Sequence, residues 1–165
     1  MDTTKTKIKY KKYKTLMPNT NSSTIKVQKR DGRLESLDIN KIHFVVEEAC
    51  EGLSGVSSSQ IEMNANIQFY DGMTTKDIQN VLVRSANDLI SLESPNYQYA
   101  AARLLSYDVR KEAHGQYEYI PLLKLILRNI RLGVYDKGIL DKYSKTEIKK
   151  FNTWIKRERD LKFTY

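Results

Sequence analysis

The punctuation between residues 37 and 115 restricts this chain more than any other feature. Four helix starts fall there, three of them leading apolar stripes of helical period. Asp38 reads as an N-cap, with Leu37 and Ile42 at the N′ and N4 spacing of a hydrophobic staple. Ile42, Val45, Val46, Ala49 and Leu53 then form one apolar face, and Gly52 and Gly55 bracket its end. Ser59 with Glu62, or Ser57 with Gln60, makes a capping box for a second helix, which ends before the Asp71-Gly72 turn. Thr74 with Asp77 caps a third, with Ile78, Val81, Leu82, Ser85 and Leu89 on one face. Ser94 and Pro95 open a fourth, with proline at N1 where its missing N–H costs nothing; it runs from Tyr97 to about His114 and stops at Gly115. Short helices of this kind must bury their apolar faces against each other. The spacing therefore predicts a mainly α fold built on four packed helices.

A small β element precedes them. Residues 25–37, from Ile25 to Leu37, read as two short strands around Asp31-Gly32, a strong hairpin signal because a type I′ turn needs φ > 0 at both central positions. A two-residue loop there would pair Arg30 with Arg33, Lys29 with Leu34 and Gln28 with Glu35. Arg30 opposite Arg33 is an unfavourable cross-strand pair. It is tolerable at a solvated tip, or useful if the charge holds something negative.

Beyond Gln116 two more helical stretches are expected. Pro121 to Arg131 is apolar on one face through Leu122, Leu125, Ile126 and Ile130. Thr146 to about Asp160 is charged, with Ile148, Phe151, Trp154 and Ile155. There are no internal repeats. The final Lys162-Phe163-Thr164-Tyr165 alternates without a partner in this sequence, so the chain is expected to be part of a longer protein or one piece of a split subunit. The division predicted is an extension over 1–24, a helical module over 25–115 and a further helical segment over 116–165.

Charge enters because it is unevenly placed. The chain carries a formal +8, but six lysines against Asp2 in residues 1–24 supply most of it and leave only +3 for the rest. A lysine-rich stretch without apolar periodicity reads as a solvated, disordered extension. Electrostatic binding to nucleic acid or to an acidic partner is the alternative. Cys50 is the only cysteine. It can form no internal disulfide or redox pair, cannot complete a zinc site, and reads as a buried thiol in a reducing compartment. No apolar run approaches the roughly 18 residues of a membrane span, and the N-terminus lacks an apolar signal core. A cytoplasmic location is expected.

Several cations and polar groups could meet one polyanion. Lys29 and Arg30 sit at the hairpin tip, Lys41 in the first turn of the first helix, and Lys111 at the end of the fourth. Thr75 lies in the first turn of the third helix, where free N–H groups and the dipole favour an anion, and Gln79 lies one turn further on. Spacing alone does not bring these together. A helical bundle with the hairpin over one end would let them converge on a triphosphate. There is no Walker A loop and no GxGxxG, so this would be a different phosphate site.

The segments VQKRDGR at 27–33, LDINKI at 37–42, QFYDGMTTKDIQ at 68–79 and PNYQYAAARL at 95–104 resemble the ATP-cone of the large subunit of class I aerobic ribonucleotide reductase, in its bacterial and phage branch. The likeness continues through Lys111, GQY at 115–117 and GVYD at 133–136 to ERDLKFTY at 158–165. The resemblance implies a four-helix unit lidded by a short β-hairpin or three-stranded sheet, followed by helices leading toward a catalytic barrel that this chain lacks. It implies an allosteric site for ATP or dATP, bound together with Mg2+, and no redox cofactor. Lys29, Arg30, Lys41, Thr75 and Lys111 would serve the phosphates and adjoining sugar. Val27, Glu35 and Asp38 would enclose the adenine, where a carboxylate suits the donor amine. Asp38 stands where the family often has Asn, and is equally accounted for as the helix cap. Gln79 stands near the sugar where dATP-inhibited members commonly carry His, so dATP inhibition is not carried over. The partners implied are the remainder of the reductase large subunit, the radical-generating small subunit and further copies of the chain. The family's chemistry needs several cysteines, and with Cys50 alone this chain is not expected to reduce nucleotides. The alternative, from a different class, is a free-standing nucleotide-sensing DNA-binding regulator of the ATP-cone type; the cysteine zinc ribbon of that family is missing from this sequence.

Other residues read as structural. His43 and His114 have no acid or cysteine at ligand spacing. Tyr97, Tyr99 and Tyr107 are expected to pack in the bundle, and Arg103 and Arg110 to make structural ion pairs.

Overall fold

The computed structural model describes residues 25–117 and 119–165; the extension expected over 1–24 lies outside them. The two strands, β1 (Lys26–Gln28) and β2 (Leu34–Ser36), form an antiparallel pair in the register Lys26–Ser36, Val27–Glu35 and Gln28–Leu34. This is one residue out of the expected register. The Lys29 amide donates to the Arg33 carbonyl at 2.8 Å and the Gly32 amide to the Lys29 carbonyl at 2.9 Å, so the loop is Arg30-Asp31-Gly32. The reason is local. Gly32 has φ +84°, but no other residue type among the described residues takes positive φ, so Asp31 does not enter the region that a type I′ turn demands. The chain takes the three-residue loop with a left-handed glycine instead. Arg30 then sits in the loop, away from Arg33. The Asp31 carboxylate accepts from the Arg33 amide at 3.2 Å and its Nε at 2.8 Å.

Seven α-helices follow among the described residues: α1 (Ile39–Cys50), α2 (Ser58–Asn66), α3 (Thr75–Asn87), α4 (Tyr97–His114), α5 (Leu122–Arg131), α6 (Gly138–Lys142) and α7 (Lys145–Asn152), then a 3-10 turn at Arg157–Lys162. The chain divides into two compact units, one ending at residue 108 and taking in 160–165, the other spanning 109–159.

In the first unit α1 packs on α2 and α2 on α3. The caps are those the sequence announces: Asp38 accepts from the Lys41 amide, Ser57 from Gln60 and Thr74 from Asp77. Of the two possible starts for α2, Ser57 is the one used. Leu37 and Ile42 are both buried, as a staple requires. Pro95 stands two residues ahead of α4, in a tight turn whose carbonyl accepts from the Gln98 amide at 3.2 Å. Ala100, Ala101, Ala102 and Leu104 are wholly buried, so α4 runs through the core. Polar side chains tie it in. The Tyr97 hydroxyl accepts from the Ser57 amide and donates to Gln60 Oε1. Arg103 Nη1 donates to the Ala49 and Glu51 carbonyls at 3.0 and 2.8 Å. Arg103 thus satisfies the open carbonyls at the end of α1, where an ion pair was expected. Cys50, at the end of α1, is half-buried, and burial pushes its thiol up to about 11.

In the second unit α5 packs on α7, with Ile126 and Ile148 buried. The Leu122 amide donates to Asn152 Oδ1 at 2.9 Å. Arg128 closes the end of α4 by donating to the His114 and Ala113 carbonyls. The single helix expected from Thr146 to Asp160 is shorter and differently capped. Ser144 and Glu147 form a full capping box, and the helix starts at Lys145, one residue before the expected Thr146. The helix ends at Asn152 because the Thr153 hydroxyl and amide both donate to the Lys150 carbonyl, at 2.7 and 2.9 Å, and the turn tightens. Trp154 is consequently exposed instead of sharing the face of Ile148.

Candidate functional site

The site is set by how the hairpin is attached. The free edge of β1 is hydrogen-bonded to the segment leading into α3. Lys26 donates to Asp71 Oδ1 at 2.6 Å, Gly72 donates to the Lys26 carbonyl at 2.8 Å, and Gln28 donates to the Met73 carbonyl at 3.0 Å. A parallel bridge joins Gln28 to Thr74. Residue 74 is the N-cap of α3, so the backbone that carries Lys29 and Arg30 is fixed directly beside a helix N-terminus. Thr74 Oγ1 accepts from the Asp77 amide at 3.0 Å and donates to Asp77 Oδ2 at 2.6 Å. Thr75 is the first residue of the helix and half-exposed. Free N–H groups at that end carry partial positive charge and suit an anion.

Each expected site residue has a definite place. Val27 is buried on β1, directly opposite Glu35 on β2. Lys29 Nζ lies 3.3 Å from Glu35 Oε2, and Arg33 approaches the same carboxylate at 4.0 Å. Arg30 Nη2 donates to Asp108 Oδ1 at 2.7 Å, tying the loop to α4. Asp38 caps α1 and has Lys41 Nζ at 3.5 Å, while Lys41 itself is exposed. Gln79 is buried and donates through Nε2 to the Leu104 carbonyl at 2.8 Å, bridging α3 to α4. The fold therefore brings the hairpin residues to α3 and α4, and pairs Asp38 with Lys41. Lys111, in the last turn of α4, belongs to the second unit.

Asp71 and Asp108 were not singled out from sequence. Asp108 carried a readable signal: it falls four residues after Leu104 and seven after Ala101, an acid on the apolar stripe of α4. Such an acid is rarely buried without a partner.

A cleft of about 380 Å³ elsewhere in the first unit is lined by Glu47, Glu48, Glu51, Phe44 and Cys50 among others. It contains none of the candidate residues, and its carboxylates repel an anion. His43 lies nearby between two acids, with Nδ1 2.8 Å from Glu62 Oε1 and Nε2 3.8 Å from Glu47 Oε1, an arrangement that joins α1 to α2. No helix among the described residues is long and apolar enough to cross a membrane.

Residues 25–112 match the ATP cone domain family. The chain is 43% identical over 144 residues to the ribonucleoside-diphosphate reductase 1 subunit alpha of Salmonella typhimurium, a stretch covering 87% of this chain and 19% of that protein. It is 44% identical over 139 residues to the corresponding Escherichia coli subunit, covering 84% of this chain and 18% of the relative. The Enterobacteria phage T4 reductase subunit alpha is 43% identical over 143 residues, 86% of this chain and 19% of the relative. The chain thus spans about a fifth of the length of these relatives.

Proposed function

The chain belongs to the ATP cone domain family, and on that premise we propose that it binds ATP or dATP as an allosteric effector. One observation carries the reading: β1 is hydrogen-bonded along its free edge to residues 71–74, which holds Lys29 and Arg30 beside the N-terminus of α3. Two cations, a helix N-terminus and a threonine in its first turn supply what a polyphosphate needs, each charged hydrogen bond contributing about 1.5–3 kcal/mol. Lys29, Arg30, Lys41 and Thr75 are assigned to the phosphates and adjoining sugar. Val27, Glu35 and Asp38 enclose the adenine, with Asp38 also capping α1. Gln79 forms the floor near the sugar. Lys111 is assigned to the phosphates on the family resemblance alone. Among the described residues no group of three or more His, Cys, Asp or Glu is arranged to hold a metal ion; Mg2+ is proposed to come with the nucleotide, on its phosphates.

The likeness to reductase alpha subunits supports a regulatory region of ribonucleotide reductase. We assign residues 25–115 to the effector module and 116–165 to the start of the helical region that follows it. The chemistry, reduction of ribonucleotides for DNA synthesis, would lie in the remainder of the large subunit. That remainder, a radical-generating small subunit and further copies of the chain are the proposed partners, in the cytoplasm. The test is calorimetry of the chain with Mg·ATP and Mg·dATP beside Arg30→Ala and Lys111→Ala. Binding by the intact chain, weakened roughly tenfold or more in each variant, is expected. An intact chain that binds neither nucleotide refutes the assignment, and the ratio of the two affinities reports what Gln79 does near the sugar.

A further inference from the structure

We propose that Asp108 is a positioning residue for the effector phosphates: it fixes one edge of the Arg30 guanidinium and leaves the other donors of that group to the ligand. The proposal rests on the nucleotide reading above and extends it to a residue outside the set assigned there. Arg30 Nη2 meets Asp108 Oδ1 at 2.7 Å, and the two side chains differ sharply in exposure, 45% for the arginine and 11% for the aspartate. The carboxylate is thus withdrawn from water and the guanidinium is half in it. A guanidinium offers five N–H donors in a rigid planar fork, and Asp108 engages it through Nη2.

Two arrangements are open to a bound phosphate. Arg30 could leave Asp108 for the ligand, or serve both. Leaving would strand a nearly buried carboxylate without a counter-charge, the costly way to break such a pair. Serving both keeps the pair and uses the guanidinium donors that Asp108 does not engage. It also lowers the cost of binding. A long arginine side chain loses much of its rotamer freedom when it grips a ligand, and the contact with Asp108 removes part of that freedom beforehand. Asp108 stands on α4, whose Leu104 carbonyl also receives the Gln79 amide. The core helix therefore orients both the phosphate cation of the loop and the polar side chain assigned to the site floor.

Calorimetry with Mg·ATP and with adenosine, on the intact chain, Asp108→Ala, Asp108→Asn, Arg30→Ala and the Asp108→Ala/Arg30→Ala pair, tests this. Asp108→Ala is expected to weaken ATP roughly tenfold, to leave adenosine unchanged, and to add nothing once Arg30 is gone. Asp108→Asn keeps an oxygen acceptor and the same shape, so it should recover part of the loss. It decides the matter where the alanine variant fails to fold. Tighter ATP binding by either variant would show Asp108 to be a competitor, and overturn the proposal. An equal loss in the Arg30→Ala background, or an equal loss for adenosine, would place the effect in the fold and overturn it too. If the intact chain binds ATP and Asp108→Ala leaves the affinity unchanged, only this inference fails. If the intact chain does not bind ATP, the nucleotide reading fails first and takes this one with it.

Discussion

The two units solve the same problem with unequal means. In the first, α4 buries three successive alanines and Leu104, Gln79 of α3 reaches its backbone, and its own Tyr97 and Arg103 reach Gln60 of α2 and the carbonyls at the end of α1. In the second, Ile120, Ile126 and Ile148 are buried, while Leu127, Leu132, Val134, Trp154 and Ile155 stay exposed. Apolar periodicity is plain in both. Periodicity thus says that a face wants burial, and not whether this stretch of chain provides the partner. Small residues at successive positions of α4 let other elements approach closely. Among the described residues the second unit shows no such run, and its helices are closed by caps and side-chain bonds to helix ends.

The sharpest test of the contrast is core truncation. Leu104→Ala removes a side chain of 0% exposure and should cost about 3–5 kcal/mol with its residual cavity. Leu127→Ala, at 41% exposure, should stay within about 0.5 kcal/mol. Denaturant midpoints with unchanged slopes measure both, and similar costs for the two would erase the distinction. Ile148→Ala comes next. It is buried to 1% exposure, so a loss of about 2–4 kcal/mol is expected, read as faster amide exchange in α5 and α7. Arg103→Met then asks how much of the first unit's advantage is polar. It keeps most of the apolar stem but leaves the Ala49 and Glu51 carbonyls without their donor; a loss of about 1–3 kcal/mol is expected.

Ser144→Ala is smaller, about 1 kcal/mol through the lost cap of α7. Its partner Glu147 gives the cap a pH signature. Hydrogen bonds from the Ser144 backbone and hydroxyl hold the Glu147 carboxyl below its ordinary range. The folded form binds the proton less readily than the unfolded, so the cap is at full strength above the ordinary carboxylate range and is lost as pH falls through the lowered value. Melting in acid should be shallower in Ser144→Ala. The smallest effect concerns Cys50. Burial raises its thiol from 9.0 to about 11. The folded form holds the proton more tightly, so its contribution is complete below pH 9 and fades between 9 and 11. Thiol labelling at pH 8 should be slow in the folded chain and fast in urea; fast labelling of the folded chain would contradict the burial.

Part of the candidate site could be read beforehand because it is local. The caps at Asp38 and Thr74 depend on residues three apart in sequence, and those pairs behave as their chemistry dictates. Lys29, Arg30 and Thr75 could be named from charge and position. The hairpin register is not legible to within one residue, because Asp-Gly permits either a two- or a three-residue loop. The choice depends on whether Asp31 takes left-handed backbone, and in this loop only Gly32 does. The end of α7 is hidden from periodicity, because it is set by Thr153 competing for the Lys150 carbonyl.

What the sequence determined by itself were the helices of the first unit, their caps and apolar faces, and the family. These follow from interactions within a few residues and from motifs that survive as text. What only the tertiary structure decided was who stands beside whom. Lys26 meets Asp71 across 45 residues, Gln79 meets Leu104 across 25, and Arg30 meets Asp108 across 78. No local propensity encodes such pairs. They form because packing of the helices and the hairpin brings distant segments together: Gln79 finds its partner in the core, Arg30 at its edge and the Lys26 amide at the surface.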